Sequence, residues 1–372
     1  MKTIVVSGIN LFMGGTLKVM QDCLSALSRY ALANDYQIVA MVYDETLYAH
    51  YERVRYISFP KSRKSYLHRL YYEYIGFKKL SKQLRPYAWF SLHDTTPNVV
   101  AERQAVYCHN PFPFYRAGWK DLLLQPNIFL LSLLTRHIIY KINIKRNNQV
   151  VVQQEWIRQA FRKQFSINNV VVALPMHITE MIEQAAKPRE TGKTIFFYPA
   201  GPVVHKNFEA VCKAAVLLEK EGVQNFEVVL TTNGKENRYT QWLFKAYSNA
   251  KHIRFEGFLK REEMDHYYQN ADCLVFPSKV ETWGLPITEA KERHLPILIA
   301  DRPYAKESVG QYEKVRFFNP HDAGELARVM KSFIDHTIHY DNTFEVNHQG
   351  TVTRSWEELF DILFGTHKTV CP

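Results

Sequence analysis

The chain has 372 residues, 46% hydrophobic and 23% charged, with 47 Lys and Arg against 37 Asp and Glu, a formal net charge of +10. This length is more than one ordinary core needs and predicts two domains, while the balance of apolar and charged residues excludes a disordered chain. The positive excess favours anionic partners, among which are nucleotide phosphates, nucleic acid and an anionic membrane surface. Five cysteines (Cys23, Cys108, Cys212, Cys273 and Cys371) are odd in number, scattered and free of any CxxC pair. They read as reduced thiols of a cytosolic protein and exclude a disulfide framework and a zinc site. The apolar start at Ile4–Val6 is broken by Ser7, Gly8 and Asn10, which fits a buried strand better than a signal peptide. The longest apolar run, Ile128–Leu134, is far short of the roughly 18 residues of a membrane span.

In chain order, Thr3–Ser7 is an apolar run of strand length, followed by a glycine-bearing loop and a helical pattern over about Thr16–Leu32. Gln37–Tyr43 predicts the next strand, Tyr66–Leu84 a helix, and Trp89–Leu92, Gln104–Cys108, Gln149–Val152 and Val170–Ala173 further strands. A polar stretch with Pro188 and Gly192 reads as a linker over 176–193. A second alternation places strands at Thr194–Tyr198, Phe226–Thr231, His252–Phe255, Asp272–Phe276 and Pro296–Ala300. Its helices fall near Asn207–Glu221, Arg238–Ala246, Arg261–Gln269, Ile287–Arg293 and Asp322–Ile334. A last helix, Ser355–Phe364, lines up Trp356, Leu359, Phe360 and Leu363 on one face. Continuous apolar strands separated by helices predict an α/β fold of two doubly wound parallel sheets facing a cleft. The expected domains are 1–175 and 194–350, with the helix of 351–372 packing back on the first. Ligands of such sheets bind beyond the carboxyl ends of the strands, so chemistry is expected in the loops that follow them.

The most informative loop is Phe276-Pro-Ser-Lys-Val-Glu281-Thr-Trp-Gly284-Leu-Pro286-Ile-Thr-Glu289. Pro286 suits the first turn of a helix, so Trp283, Gly284 and Leu285 are expected at a helix N-terminus, where free N–H groups and the helix dipole attract an anion. Gly284 lets the backbone approach a ligand closely. Glu281 before the turn and Glu289 in the first helical turn bracket this site. A carboxylate accepts two hydrogen bonds from a vicinal diol, so both suit sugar hydroxyls.

This segment resembles the retaining GT-B glycosyltransferases of family 4 (group 1). Their signature is a strand ending in Pro-Ser, then two glutamates with seven residues between them around a glycine-containing turn. The resemblance implies two Rossmann-like domains and transfer of a sugar from a nucleotide diphosphate-sugar with retained anomeric configuration. It implies that Glu281 faces the donor sugar near the reacting carbon and that Glu289 binds the nucleotide ribose. Two departures stand out: the family's Gly-Phe-Gly is Thr282-Trp283-Gly284 here, and His294 stands where a glycine usually precedes the next strand. The chain has no Asp-x-Asp, so no metal-bridged diphosphate site and no cofactor is expected.

Other loops add to this. Gly14-Gly15 follows the first strand in neither a GxGxxG nor a GxxxxGK[ST] pattern, which disfavours a dinucleotide enzyme and a P-loop NTPase. The family places such a pair against the donor diphosphate. Lys206 follows the strand Thr194–Tyr198, and a fixed cation there stabilises a departing diphosphate more in the transition state than in the ground state. The family's accompanying Arg is Pro202 here, so Lys206 is expected to act alone or with a protonated His205. His109, directly after Gln104–Cys108, is read as a sugar-hydroxyl ligand and transition-state stabiliser, and Asp94 as an acceptor contact. Gly257 and Phe258 follow a further strand, in the kind of loop against which the resemblance places the nucleobase, and Asn233, after another strand, is expected to line the same cleft.

Lys61, Arg63, Lys64, Arg69, Lys78, Lys79, Lys82 and Arg85 cluster among tyrosines, and Arg136, Lys141, Lys145 and Arg146 lie beside Ile138, Ile139 and Ile142. Basic residues interleaved with aromatics suit a membrane interface, and no nucleic-acid motif accompanies them. The resemblance adds a glycan acceptor, often lipid-linked, bound by the first domain. The expected protein is therefore a cytoplasmic glycosyltransferase of surface-polysaccharide synthesis, peripheral on the inner membrane face. A nucleotide-sugar epimerase or phosphorolytic enzyme of the same fold and a non-catalytic scaffold are the alternatives. An epimerase would convert donor with no acceptor present.

Overall fold

The computed structural model describes residues 1–175 and 192–365. Cys371 and the expected linker, apart from its last two residues, lie outside the described residues. The strands, in chain order, are β1 (Lys2–Gly8), β2 (Tyr36–Val42), β3 (Val54–Ser58), β4 (Ala88–Ser91), β5 (Arg103–Tyr107), β6 (Gln149–Val152), β7 (Val170–Ala173), β8 (Thr194–Tyr198), β9 (Phe226–Leu230), β10 (Ile253–Phe255), β11 (Cys273–Phe276), β12 (Ile297–Ala300), β13 (Val315–Phe318) and β14 (Val352–Thr353). They form two parallel sheets, β14-β7-β6-β5-β4-β1-β2-β3 and β10-β9-β8-β11-β12-β13. The strands that the sequence pattern does not announce, β3, β13 and β14, all lie at sheet edges. There a strand is short or half exposed, and its apolar run is interrupted.

The described residues divide into two compact units, one of 1–113, 134–175 and 348–365, the other of 114–133 and 192–347. In the first unit the alternation of each strand feeds two cores. Ile4, Val6, Ile38 and Ala40 pack with Met20, Leu24 and Leu27 of the helix Gly14–Asn34, while Val5, Val39 and Met41 face Phe77 and Trp89. Burial on both faces is why these strands read as unbroken apolar runs, and each fully buried Ile, Leu or Phe contributes roughly 1.5–3 kcal/mol. The chain returns to this unit at its end. β14 pairs with β7 (Val352↔Val172), and Leu359, Phe360 and Leu363 of the helix Trp356–Phe364 join the first of these cores. Ser355 caps that helix by accepting from the Glu358 N–H at 3.1 Å, and Tyr30 donates to Asp361 at 2.9 Å.

The expected helix Tyr66–Leu84 is interrupted: helices Tyr66–Tyr71 and Phe77–Leu84 flank a π-helical turn, Tyr72–Gly76. The division of the chain also differs from a cut at 175, because 114–133 groups with the second unit. Gln125 explains this. Its Oε1 accepts from Val204 N at 2.9 Å, its amide donates to the Pro202 carbonyl at 3.5 Å, and Tyr115 packs near His205. Of the cysteines, Cys23, Cys108, Cys212 and Cys273 are buried and unbridged. Among the described residues no helix is long and apolar enough to cross a membrane.

Candidate active site

In the second sheet the strand order reverses between β8 and β11, which pair directly (Cys273↔Phe196). Crossovers leave in opposite directions at such a point and open a crevice beyond the strand ends. The loops that emerge there are 199–207 and 277–284, and they bring together two residues 75 positions apart. Lys206 Nζ lies 2.5 Å from Glu281 Oε1, with the two side chains 20% and 8% exposed. Three buried groups fix this pair. Tyr198 donates its hydroxyl to the Lys206 carbonyl at 2.6 Å and lies 3.1 Å from Ser278 Oγ. Asn207 donates to the carbonyls of Pro277 (3.1 Å) and Pro320 (2.9 Å), and Tyr304 donates to the Ser278 carbonyl at 2.8 Å. Asn207 precedes the helix Phe208–Lys220 in a left-handed conformation (φ 60°) and makes no side-chain cap.

The helix Leu285–Glu292 begins directly after this pair, with Gly284 at its N-cap in a left-handed conformation (φ 84°) and no side-chain cap. Pro286 has no N–H and the Ile287 N–H donates to the Gly284 carbonyl at 2.9 Å, so what this end offers a ligand is chiefly the positive pole of the helix dipole. Trp283 turns away from this end: its indole N–H donates to Thr288 at 2.9 Å, and its carbonyl accepts from Ser308. A Cβ on Gly284 would lie 2.8 Å from Ile287 and 3.2 Å from the Phe276 ring. Gly284→Ala is therefore expected to cost about 1–3 kcal/mol in a denaturant titration and to weaken nucleotide binding in the same preparation. An unchanged unfolding midpoint would show that the turn tolerates a side chain.

Glu289 is the fifth residue of this helix, so it lies beyond the first turn where the sequence spacing placed it, and it is no first-turn acid. The helix starts at Leu285 because Gly284 supplies the cap and Pro286 an N–H-free second position. Both carboxylate oxygens of Glu289 are engaged, Oε1 with the exposed Arg261 at 2.6 Å and Oε2 with the buried Tyr268 hydroxyl at 2.7 Å. Neither partner was anticipated, since nothing in the spacing of a separate helix announces them. Asn233 and Gly257 come together: a Cβ on Gly257 (φ 87°) would lie 2.8 Å from Asn233 Nδ2. Phe258 beside them is 87% exposed, a ring with no packing of its own.

His205 corrects an expectation. It is 4% exposed, and burial first, then the charges of Lys206 and Lys279, push its imidazole well below the ordinary value. It is neutral at pH 7 and cannot replace the positive charge of an Arg. Pro202, at that Arg position, instead offers its carbonyl to Asn237 at 2.7 Å.

The first unit carries the other expected residues, at the reversal between the paired strands β1 and β4. Gly14 (φ 59°) and Gly15 are exposed in the first turn of the 21-residue helix Gly14–Asn34, which has no side-chain cap and no acidic residue there. Asp94, expected as an acceptor contact, is engaged within its own unit. In a left-handed conformation (φ 68°), it accepts from the backbone N–H groups of His109 (2.7 Å) and Asn110 (2.9 Å) and lies 3.6 Å from His109 Nε2. Asp94 braces the loop that presents His109, and its Oδ1 is already satisfied. Behind this loop, Glu73 on the π-helical turn is fully buried. It pairs with Arg69 (2.7 Å) and His93 (2.9 Å) and accepts from Thr95 (2.7 Å). Among the described residues no group of three or more His, Cys, Asp or Glu is placed to hold a metal ion.

Two doubly wound parallel sheets in one chain are the GT-B fold. The chain superposes on WaaG, a glycosyltransferase involved in lipopolysaccharide biosynthesis, with a TM-score of 0.65 over 89% of this chain and 90% of that one, at 13% identity. It superposes on Anabaena HepE in complex with UDP-glucose with a TM-score of 0.56 over 90% of each chain, at 12% identity. Residues 180–346, a little under half of the chain, match the model of the family described as glycosyl transferases group 1. A serotype-specific mannosyltransferase, WbdA of Escherichia coli, is 30% identical over 138 residues, which are 36% of this chain but only 17% of the relative's own length.

Proposed function

We propose that the chain is a retaining glycosyltransferase that moves a sugar from a UDP- or GDP-sugar to a hydroxyl of a glycan acceptor, lipid-linked, in the synthesis of a cell-surface polysaccharide such as O-antigen or capsule. The observation that carries this reading is the Lys206–Glu281 pair beside the uncapped N-terminus of Leu285–Glu292. A cation and the positive end of a helix suit a diphosphate, and the adjoining carboxylate suits the hydroxyls of the sugar attached to it. The diphosphate takes over the Lys206 ammonium, which frees Glu281 Oε1 for the sugar. The ribose diol takes the Oε1 side of Glu289 in place of Arg261, while Tyr268 keeps the carboxylate oriented. The base rests against Asn233, Gly257 and the Phe258 ring.

In the reaction the bond from the anomeric carbon to the diphosphate oxygen breaks, and the acceptor oxygen bonds on the same face. The acceptor proton passes to the departing phosphate. Lys206 and the helix N-terminus stabilise the charge that develops on the leaving group, with no metal required. His109, held by Asp94, contacts sugar hydroxyls. The test is incubation with UDP- and GDP-sugars, with and without glycan acceptors and in the presence of chelator, with the product anomer read by NMR. Product of retained configuration, formed only with acceptor, is expected. Conversion of donor alone would favour an epimerase, and inversion would remove the front-face route.

The same reading places the protein on the inner membrane face. Tyr66, Leu67, Leu70, Tyr71 and Ile75 are 44–76% exposed, and Lys61, Lys64, Lys78, Lys79 and Lys82 flank them. An apolar face with a basic rim suits an anionic bilayer surface. Co-flotation with anionic liposomes is expected, weakened by salt and reduced several-fold in Leu67→Glu/Leu70→Glu. Equal flotation of that variant would move the contact elsewhere.

A further inference from the structure

A cavity of about 540 Å³ in the second unit borders the loops 199–207 and 277–284 through Val204, Asn207 and Lys279, but includes none of Lys206, Glu281, Gly284, Glu289 or Gly257. Its size falls within the roughly 300–1,000 Å³ of small-molecule sites. Two indoles line it. Trp119 is 69% exposed and Trp242 38%, so each leaves a ring face to solvent inside a concavity. Trp242 is held in place, stacked on Tyr239 (6.2 Å, 22°) and edge-on to Tyr247 (6.4 Å, 89°). A fixed, unfilled aromatic face costs apolar exposure that packing could have removed, and it matches the flat C–H face of a pyranose ring.

The polar part of the cavity has a sign. Glu209 and Lys279 form a pair at 3.3 Å, each about one-fifth exposed, and the buried Tyr239 hydroxyl donates to Glu209. This fixes an acceptor next to a donor, the arrangement that sugar hydroxyls satisfy. Lys120 and Lys213 also line the cavity, are exposed, and have no carboxylate within ion-pair distance among the described residues. The one other acid of the lining, Asp121, is buried and spends Oδ2 on Tyr115 and the Gly118 N–H. Three lysines thus face two carboxylates, both already engaged.

We infer that this cavity is a second sugar-binding site, for an oligosaccharide carrying an acidic group, with Trp119 and Trp242 stacking on its rings and Lys120 and Lys213 taking its carboxylate or phosphate. The site adjoins the donor loops without sharing Lys206 or Glu281, and it does not rest on the transfer reaction. Isothermal titration with an oligogalacturonate tetrasaccharide and with a phosphorylated mannotetraose tests both sources of the acid, with neutral mannotetraose and UDP or GDP as controls. At least one acidic oligosaccharide is expected to bind at least ten-fold more tightly than the neutral one and without competition from the nucleotides. Trp242→Ala and Lys213→Glu are each expected to weaken it at least ten-fold while nucleotide binding stays within two-fold. Lys213 is exposed, so its variant keeps the test valid if the indole change perturbs folding. No binding at millimolar ligand, equal binding of the neutral glycan, displacement by nucleotide, or unchanged affinity in Lys213→Glu would each overturn the assignment.

Discussion

Glu281→Gln is expected to lower sugar transfer by about 100-fold or more while leaving the fold in place. The amide keeps the size of the side chain but loses the charge that holds the Lys206 ammonium at 2.5 Å and that the proposed function assigns to the sugar hydroxyls. Removing one group aimed at the reacting centre typically costs a factor of 10²–10³. The stability cost is smaller, about 1–3 kcal/mol, because the pair is largely buried but the amide oxygen can still accept from the Lys206 ammonium. Nucleotide binding by calorimetry should persist in the variant, which separates a lost chemical step from a lost site. Near-normal kcat would take Glu281 out of the chemistry.

Glu73→Ala is expected to destabilise the first unit by about 3–5 kcal/mol, the cost of breaking a buried ion pair from one side. Burial alone would raise the Glu73 carboxyl. The charges of Arg69 and His93 and their hydrogen bonds outweigh it and hold the group down at about 2, from an ordinary 4.5. A carboxyl lowered on folding stabilises the native state above its unfolded value, so this contribution is complete above about pH 5 and is lost as pH falls from 4.5 towards 2. It amounts to on the order of 3 kcal/mol. Urea midpoints at pH 7, 4 and 3 should therefore fall steeply for the parent protein and much less for Glu73→Ala. A variant that loses under 1 kcal/mol at pH 7 would show that the network is dispensable.

The sheets were legible in the sequence because their strands are buried on two faces. Runs such as Ile4–Val6 and Leu274–Phe276 have no polar alternation to hide them. The turn at Gly284 was legible because glycine followed by Leu-Pro is hard to place anywhere but a helix start. The Lys206–Glu281 contact was not, since it depends on β8 and β11 being neighbours, and strand order is written in no local pattern. The bonds from Asp94 to the His109 and Asn110 N–H groups were hidden for a related reason: an acid in a strand-end loop suits a ligand or its own loop equally well until its backbone partners are seen. His205 needed its burial, which a loop position does not reveal. The segment 114–133 needed the Gln125 hydrogen bonds, formed with residues about 80 positions on.

The return of the chain to β7 and the first core has a consequence for biogenesis. Until β14 and the helix Trp356–Phe364 have left the ribosome, β7 keeps an open edge and Leu24, Leu27 and Tyr30 lack part of their cover. The half made first must therefore wait, incompletely sealed, while nearly the whole of the other half is translated. During that interval an open parallel edge is a template for mispairing, and holdase chaperones are the natural guardians of the nascent polypeptide.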